Sequence, residues 1–328
     1  MKPGLGWGVV AFVAVVPLFA SAQQESEDPD DSLAQPRAEE SAMNPCTSAG
    51  SSPGEDRANV PITTARNTWY LHVPSGHAGP IDVRFVPKPS HIGLLGLDEA
   101  LPHTYEEGRL RFELPAAAQG LTETVVALTW TANHWDKAIA EFDEMDRTHP
   151  PAEDAVLFVG SSTIRMWDLA RFFPSIPAEN RGFGGSQFWD IAYHAERIIT
   201  PYRPRLIVLY AGDNDVASGK SAAWVFADFK ALIQRIRDGL PRTPIIVLGV
   251  KPSVARWNLW PEMQQVNQRI QGLAATQPNV HYLDLSGLLL GEDGTPRPDL
   301  FLRDGLHLND EGYQRWTHRL AQELARFE

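Results

Sequence analysis

Four short apolar runs, AVLFV (155–159), RLIVLY (205–210), PIIVLGV (244–250) and NVHYLDL (279–285), constrain this chain more than anything else in it. They are continuous rather than alternating, the pattern of strands buried on both faces. Both faces are covered where helices lie above and below a parallel sheet. The segments between the runs supply such helices. From Ser221 to Asp238, the residues Val225, Phe229, Leu232, Ile233 and Ile236 share one helical stripe, with Gly239 at the expected stop. In NHWDKAIAEFDEMDRTHPP, Trp135, Ile139, Phe142 and Met145 recur at helical spacing before Pro150 and Pro151. The pattern predicts a doubly wound, three-layer α/β domain over 132–328, with ligands bound beyond the carboxyl ends of its parallel strands.

Residues 61–131 read differently. NTWYLHV, IDVRFV, HIGLLG, RLRFELP and TETVVALTW are β-type runs broken by turn segments such as PSGHAGP and EEGR. Strands this short and closely spaced predict a small antiparallel β-sandwich module. Residues 23–60 are rich in Ser, Ala, Pro, Gly, Asp and Glu and nearly free of large apolar side chains, so they read as a disordered acidic linker. Residues 1–22 place Lys2 before an apolar run from Val9 to Phe19 and end in Ala20, Ser21 and Ala22. That order predicts a signal peptide cleaved after Ala22, hence a secreted or periplasmic protein with no stable membrane insertion. Cys46 is the single cysteine, so no internal disulfide is expected. Of the net charge of -12, half arises between residues 23 and 66, where nine acids face three arginines. With no basic stripe to neutralise phosphates, nucleic acid is not an expected partner.

The polar residues that stand out all follow strand ends. In VLFVGSSTIRMW, Ser162 opens a helix whose N-terminus favours developing negative charge; a serine there can be a nucleophile or simply an N-cap. In NRGFGGSQFWD, closely spaced Gly182, Gly184 and Gly185 can turn backbone amides toward a ligand or form a plain turn. In LYAGDNDVASG, Asn214 can donate amide hydrogens to an oxyanion. The flanking Asp213 and Asp215 permit a magnesium reading, which lacks a phosphate-binding loop or further carboxylates. In LFLRDGLHLNDEGY, His307 is the candidate general base and Asp304 its orienting acid, with Asn309 and Asp310 as helix caps ahead of Tyr313, Trp316 and Leu320.

Taken in order, Ser162, Gly185, Asn214, Asp304 and His307 resemble the motif blocks of the SGNH hydrolases, the GDSL esterase and lipase family, across about residues 133–326. The resemblance implies Ser162 as nucleophile, His307 as base and Asp304 as its partner. It implies an oxyanion hole made by the amides of Ser162 and Gly185 and the Asn214 side chain, with no metal or cofactor. The first block reads GSS where many members have GDS, so Ser161 stands in the aspartate's place and Ser162 in the third. The run from WYLHV to VVALTW is similar to the C-terminal β-sandwich of alpha-L-fucosidases and hints at carbohydrate; a structural spacer is the other reading.

The sequence thus predicts an exported serine esterase acting on a small-molecule or glycan ester, with short acyl groups, acetyl above all, removed from carbohydrate. In KPSVARWNLWPEM, Trp257, Trp260 and Arg256 are candidates for substrate binding, although tryptophans at this spacing also pack cores. The alternatives are a lysophospholipase or acyl thioesterase of the same fold, and a carbohydrate-binding protein without catalysis.

Overall fold

The computed structural model describes residues 57–327, leaving out 66, 96–99, 119–122 and 132. The expected signal peptide, nearly all of the linker and Cys46 lie outside the described residues.

Among the described residues the N-terminal module has seven strands: β1 (Ile62–Ala65), β2 (Thr68–Pro74), β3 (Ile81–Arg84), β4 (His91–Leu94), β5 (His103–Glu106), β6 (Arg109–Phe112) and β7 (Glu123–Thr129). They form two antiparallel sheets, ordered β1-β2-β7-β4 and β3-β6-β5. Alternation is clearest in β2, where Trp69, Leu71 and Val73 are buried and the residues between them half-buried. Residues 57–60, which composition assigns to the linker, belong to this module. Ala58 bridges to Val83, Val60 joins the core, and Arg57 is fully buried. Composition misses them because Arg57 is stabilised by partners remote in sequence.

The α/β domain runs α1 (Asp136–Thr148), β8 (Val156–Gly160), α2 (Ser162–Arg165), α3 (Leu169–Phe172), β9 (Ala178–Gly182), α4 (Phe188–Ile198), β10 (Leu206–Tyr210), α5 (Asp213–Ala217), α6 (Ala222–Gly239), β11 (Ile245–Leu248), α7 (Trp260–Ala274), β12 (Val280–Leu283) and α8 (Asp310–Leu324). Its sheet is wholly parallel, in the order β12-β11-β10-β8-β9. β8, β10 and β11 are buried at every position, and separate apolar clusters cover the two faces. Four of the five strands are the predicted runs. The fifth, β9, reads AENRG and sits at the edge against β8; its buried Arg181 bonds the Tyr202 hydroxyl at 2.9 Å and pairs with Asp146. Met145 is exposed, unlike the rest of its predicted stripe. Gly239 ends α6 as expected, and a Cβ there would stand 2.6 Å from the Thr200 methyl, so the stop is also a close approach.

The two domains fall within one compact unit. Trp69 and Trp130 of the module pack edge-on against Trp189 of α4, with ring centroids 5.4 and 5.1 Å away. Arg57 reaches Asp228 of α6 at 2.9 Å, both side chains being fully buried. Lys220 continues the chain of charges, bonding Asp228 at 2.7 Å and Asp215 at 3.1 Å.

Candidate active site

β8 ends at Gly160, whose φ of +155° and position let the chain pass the Tyr210 carbonyl; a Cβ there would lie 2.0 Å from that oxygen. Ser161 follows, fully buried with its amide bonded to Tyr210, and Ser162 is the first residue of α2, half-buried. The first amides of a helix have no intrahelical acceptor, so the Ser162 N–H is open to a ligand. The Ser162 hydroxyl lies 2.8 Å from Nε2 of His307, and Nδ1 of the same ring is 2.6 Å from Oδ2 of Asp304.

The loop carrying the histidine is fixed from several sides. Phe301 and Leu308 bridge across it, and the amides of Leu306 and His307 donate to Asp304 Oδ1 at 2.9 and 3.0 Å. Burial raises the Asp304 carboxyl, but bonds from the His307 ring and these two amides outweigh it and bring the group down to about 2. Asp304 is therefore a carboxylate at any working pH. Since a carboxylate only accepts, Nδ1 carries the proton toward it and Nε2 of the neutral ring is left to accept from Ser162.

Gly185 ends the turn after β9, with φ +83° and a Trp135 ring carbon 3.2 Å from where a Cβ would stand. Asn214 is the second residue of α5, after β10. Its Nδ2 donates to the Ser186 carbonyl at 3.1 Å, and its Oδ1 accepts from Arg256 at 3.0 Å. A guanidinium only donates, so Arg256 must face the Asn214 oxygen, and the second hydrogen of the amide nitrogen stays available. The structure therefore brings Ser162, Asp304 and His307 into one relay, with Gly185 and Asn214 joined at Ser186.

It treats the three candidate substrate contacts otherwise. Trp260 is buried in the core, and Trp257 stacks on it at 6.2 Å and packs against that core. Arg256 spends its guanidinium on Asn214 and on Asp213, at 3.2 Å. Trp260 therefore has little surface left for a sugar, while Trp257 and Arg256 remain half-buried. Asp213 also faces the buried Lys251 at 3.6 Å, and burial lowers that ammonium. Asp215, fully buried and sharing Lys220 with a second carboxylate, is pushed up to about 6. Lys220, held between the two acids, is raised. Sequence reasoning gave Lys220 no role; the only signal was a pair of acids in GDND with no visible partner.

Residues 164–315 match the GDSL-like Lipase/Acylhydrolase family. They form a GDSL-like lipase/acylhydrolase domain. Human platelet-activating factor acetylhydrolase IB subunit alpha1 is 29% identical over 181 residues, spanning 53% of this chain and 77% of the relative. A platelet activating factor structure from Streptococcus pneumonia superposes with TM-score 0.53 at 24% identity, covering 58% of this chain and 92% of that one. A GDSL-like lipase from Bacteroides thetaiotaomicron gives 0.51 at 19%, covering 57% and 97%. At these identities the two structures show the shared fold. The matched domain is that of a carboxylic ester hydrolase. The family match starts two residues after Ser162, so the place of that serine rests on its geometry with His307. The match leaves the β module uncovered, and the likeness to a fucosidase sandwich stays an expectation.

Proposed function

We propose that this acylhydrolase is an exported esterase that removes acetyl groups from carbohydrate through an acyl-enzyme on Ser162. The observation that carries the mechanism is the unbroken relay from Asp304 through His307 to the Ser162 hydroxyl, with links of 2.6 and 2.8 Å. His307 Nε2 takes the hydroxyl proton as the Ser162 oxygen bonds to the ester carbon, while Asp304 holds the ring and stabilises the imidazolium. The carbonyl oxygen becomes an anion facing the amides of Ser162 and Gly185 and the Asn214 amide nitrogen. Collapse breaks the bond to the alcohol, which leaves with the proton from His307. Water then repeats the sequence on the acyl-serine, and the free acid departs.

The acetyl preference draws support from the acetylhydrolases among the relatives, and the carbohydrate from the fucosidase-like module. Export rests on the first 22 residues. The same relatives are named for platelet-activating factor, which makes an acetylated lipid the second reading. Hydrolysis of p-nitrophenyl esters from acetate to palmitate, by wild type and Ser162→Ala in parallel, tests the proposal. A serine-dependent optimum at acetate supports it. An optimum at long chains replaces it with a lipid esterase, and serine-independent turnover removes the mechanism.

A further inference from the structure

The Gly185 turn lines a cleft that continues onto the β module. The cleft has a volume of about 440 Å³ and is lined from the module by Lys88 and Tyr105, and from the hydrolase domain by His134, Trp135, Gly185 and Trp224, among others. Small-molecule sites usually span about 300–1,000 Å³. Trp135 closes one side against Gly185, its ring carbon 3.2 Å from the position a Cβ would take there. Trp224 packs against the turn of the β5–β6 hairpin so closely that a Cβ on Gly108 would stand 2.1 Å from a carbon of its ring, and Lys220 lies over that ring at 5.4 Å from the centroid.

We infer that this cleft binds the alcohol portion of the substrate, that this portion is a sugar ring, and that the β module is therefore one wall of the active site. The inference rests on the proposed deacetylase reading and says where its sugar goes. With the carbonyl oxygen held at the Gly185 amide, the ester carbon lies within a few ångströms of the cleft. An acetyl group is too small to occupy it, so the alcohol side is the part that extends along it. The lining joins aromatic rings to donors: Trp135, Trp224 and Tyr105 offer apolar faces, whereas Lys88 and His134 are exposed at the rim and reach hydroxyl groups. Aromatic walls also bind quaternary ammonium ions. The charges here oppose that occupant. Lys88 lines the cleft with its charge free of a carboxylate there, Lys220 is matched by Asp215 and Asp228, and among the described lining residues the one carboxylate, Asp190, accepts from the Gln187 amide at 3.0 Å and the Asn133 side chain at 3.1 Å. The two walls are also fixed to each other. The charges that join Arg57 to Asp228, Lys220 and Asp215 are buried between module and hydrolase domain, and Asp215 is the neighbour of Asn214. A detachable spacer has no need of such a connection, but a preorganised site does.

The test compares kcat/KM for a methyl glucoside carrying one O-acetyl group with that for ethyl acetate, whose alcohol is too short to enter the cleft. Full-length wild type, Lys88→Ala and His134→Ala are measured with both esters, and thermal melts confirm that the variants are folded. Each variant lowers the ratio of sugar ester to ethyl acetate about 10-fold, chiefly through KM, the effect of about 1.4 kcal/mol of lost polar contact. A ratio unmoved by either substitution overturns the inference while leaving the deacetylase reading intact. An equal fall with both esters also overturns it, because the cleft is then structural. Acetylcholine turned over more efficiently than the sugar ester replaces the sugar with a quaternary ammonium alcohol. Should wild type hydrolyse none of the three, the deacetylase reading fails and the inference goes with it.

Discussion

Replacing Arg57 by methionine tests how the β module is joined to the hydrolase domain. Arg57, Asp228, Lys220 and Asp215 form a buried chain of two cations and two anions, so the cluster is neutral as a whole. Methionine keeps much of the side-chain volume but leaves one uncompensated negative charge, and breaking a buried pair in this way costs about 3–5 kcal/mol. At about 2–4 °C per kcal/mol for a protein of this size, the melting temperature falls on the order of 10 °C. The loss depends on pH. Asp215 is held up to about 6, above the roughly 3.9 of an unfolded aspartate, so its contribution to stability is full below about pH 4 and is lost as pH rises through 6. Without the guanidinium, Asp228 takes more of the Lys220 charge and the Asp215 carboxyl rises further. The deficit relative to wild type therefore grows from pH 5 to pH 8. Asp228→Asn leaves the opposite imbalance, and Arg57→Met with Asp228→Asn restores neutrality. The double variant should be less destabilised than the sum of the singles by on the order of 2 kcal/mol. Urea denaturation of the four proteins at pH 5 and pH 8 measures this. A single variant that melts within 2 °C of wild type, by the roughly 2–4 °C per kcal/mol used above, or strictly additive costs, refutes the account.

Ser162→Ala abolishes esterase turnover and Ser161→Ala retains it, because Ser162 alone faces His307; the reverse result in a p-nitrophenyl acetate assay shifts the nucleophile by one residue. Asn214→Ala lowers kcat by about 10²- to 10³-fold with a much smaller change in KM, as expected for a donor that matters most at the oxyanion. Arg256→Met lowers kcat by about 10-fold at near-constant KM, the loss of orientation in one oxyanion donor being smaller than loss of the donor itself; a rise in KM alone makes Arg256 a substrate contact after all. Asp304→Asn reduces kcat by about 10³- to 10⁴-fold, the cost of an imidazole held in the wrong tautomer. Its melting temperature at pH 7 stays near wild type, since Asp304 is half-exposed and exposed ion pairs contribute little stability.

The sheet was readable where burial alone chose the residues. VLFV, LIVLY and IIVL tolerate almost nothing polar because helices cover both faces. β9 was not readable, since an edge strand can carry Glu179, Asn180 and Arg181 when each finds a partner across the fold. The relay residues were legible because acyl transfer needs particular groups at particular strand ends, in a fixed order. Trp260 lies in the core and Trp257 is half-buried beside it, and the sequence left their role open because an aromatic pair at helical spacing looks the same whether it faces a sugar or a core. Arg57 and Asp228 are 171 residues apart, and local composition carries no trace of a bond across that separation.

The hydrogen bond between Ser162 and His307 spans 145 residues of sequence. Loop closure on that scale is late and slow when a parallel sheet must assemble between its ends. β10, β11 and β12 all lie in the chain between the two atoms, so their meeting reports on assembly of the parallel sheet. Recovery of ester hydrolysis after dilution from denaturant is thus a clock for that assembly, one that fluorescence from ten scattered tryptophans would blur.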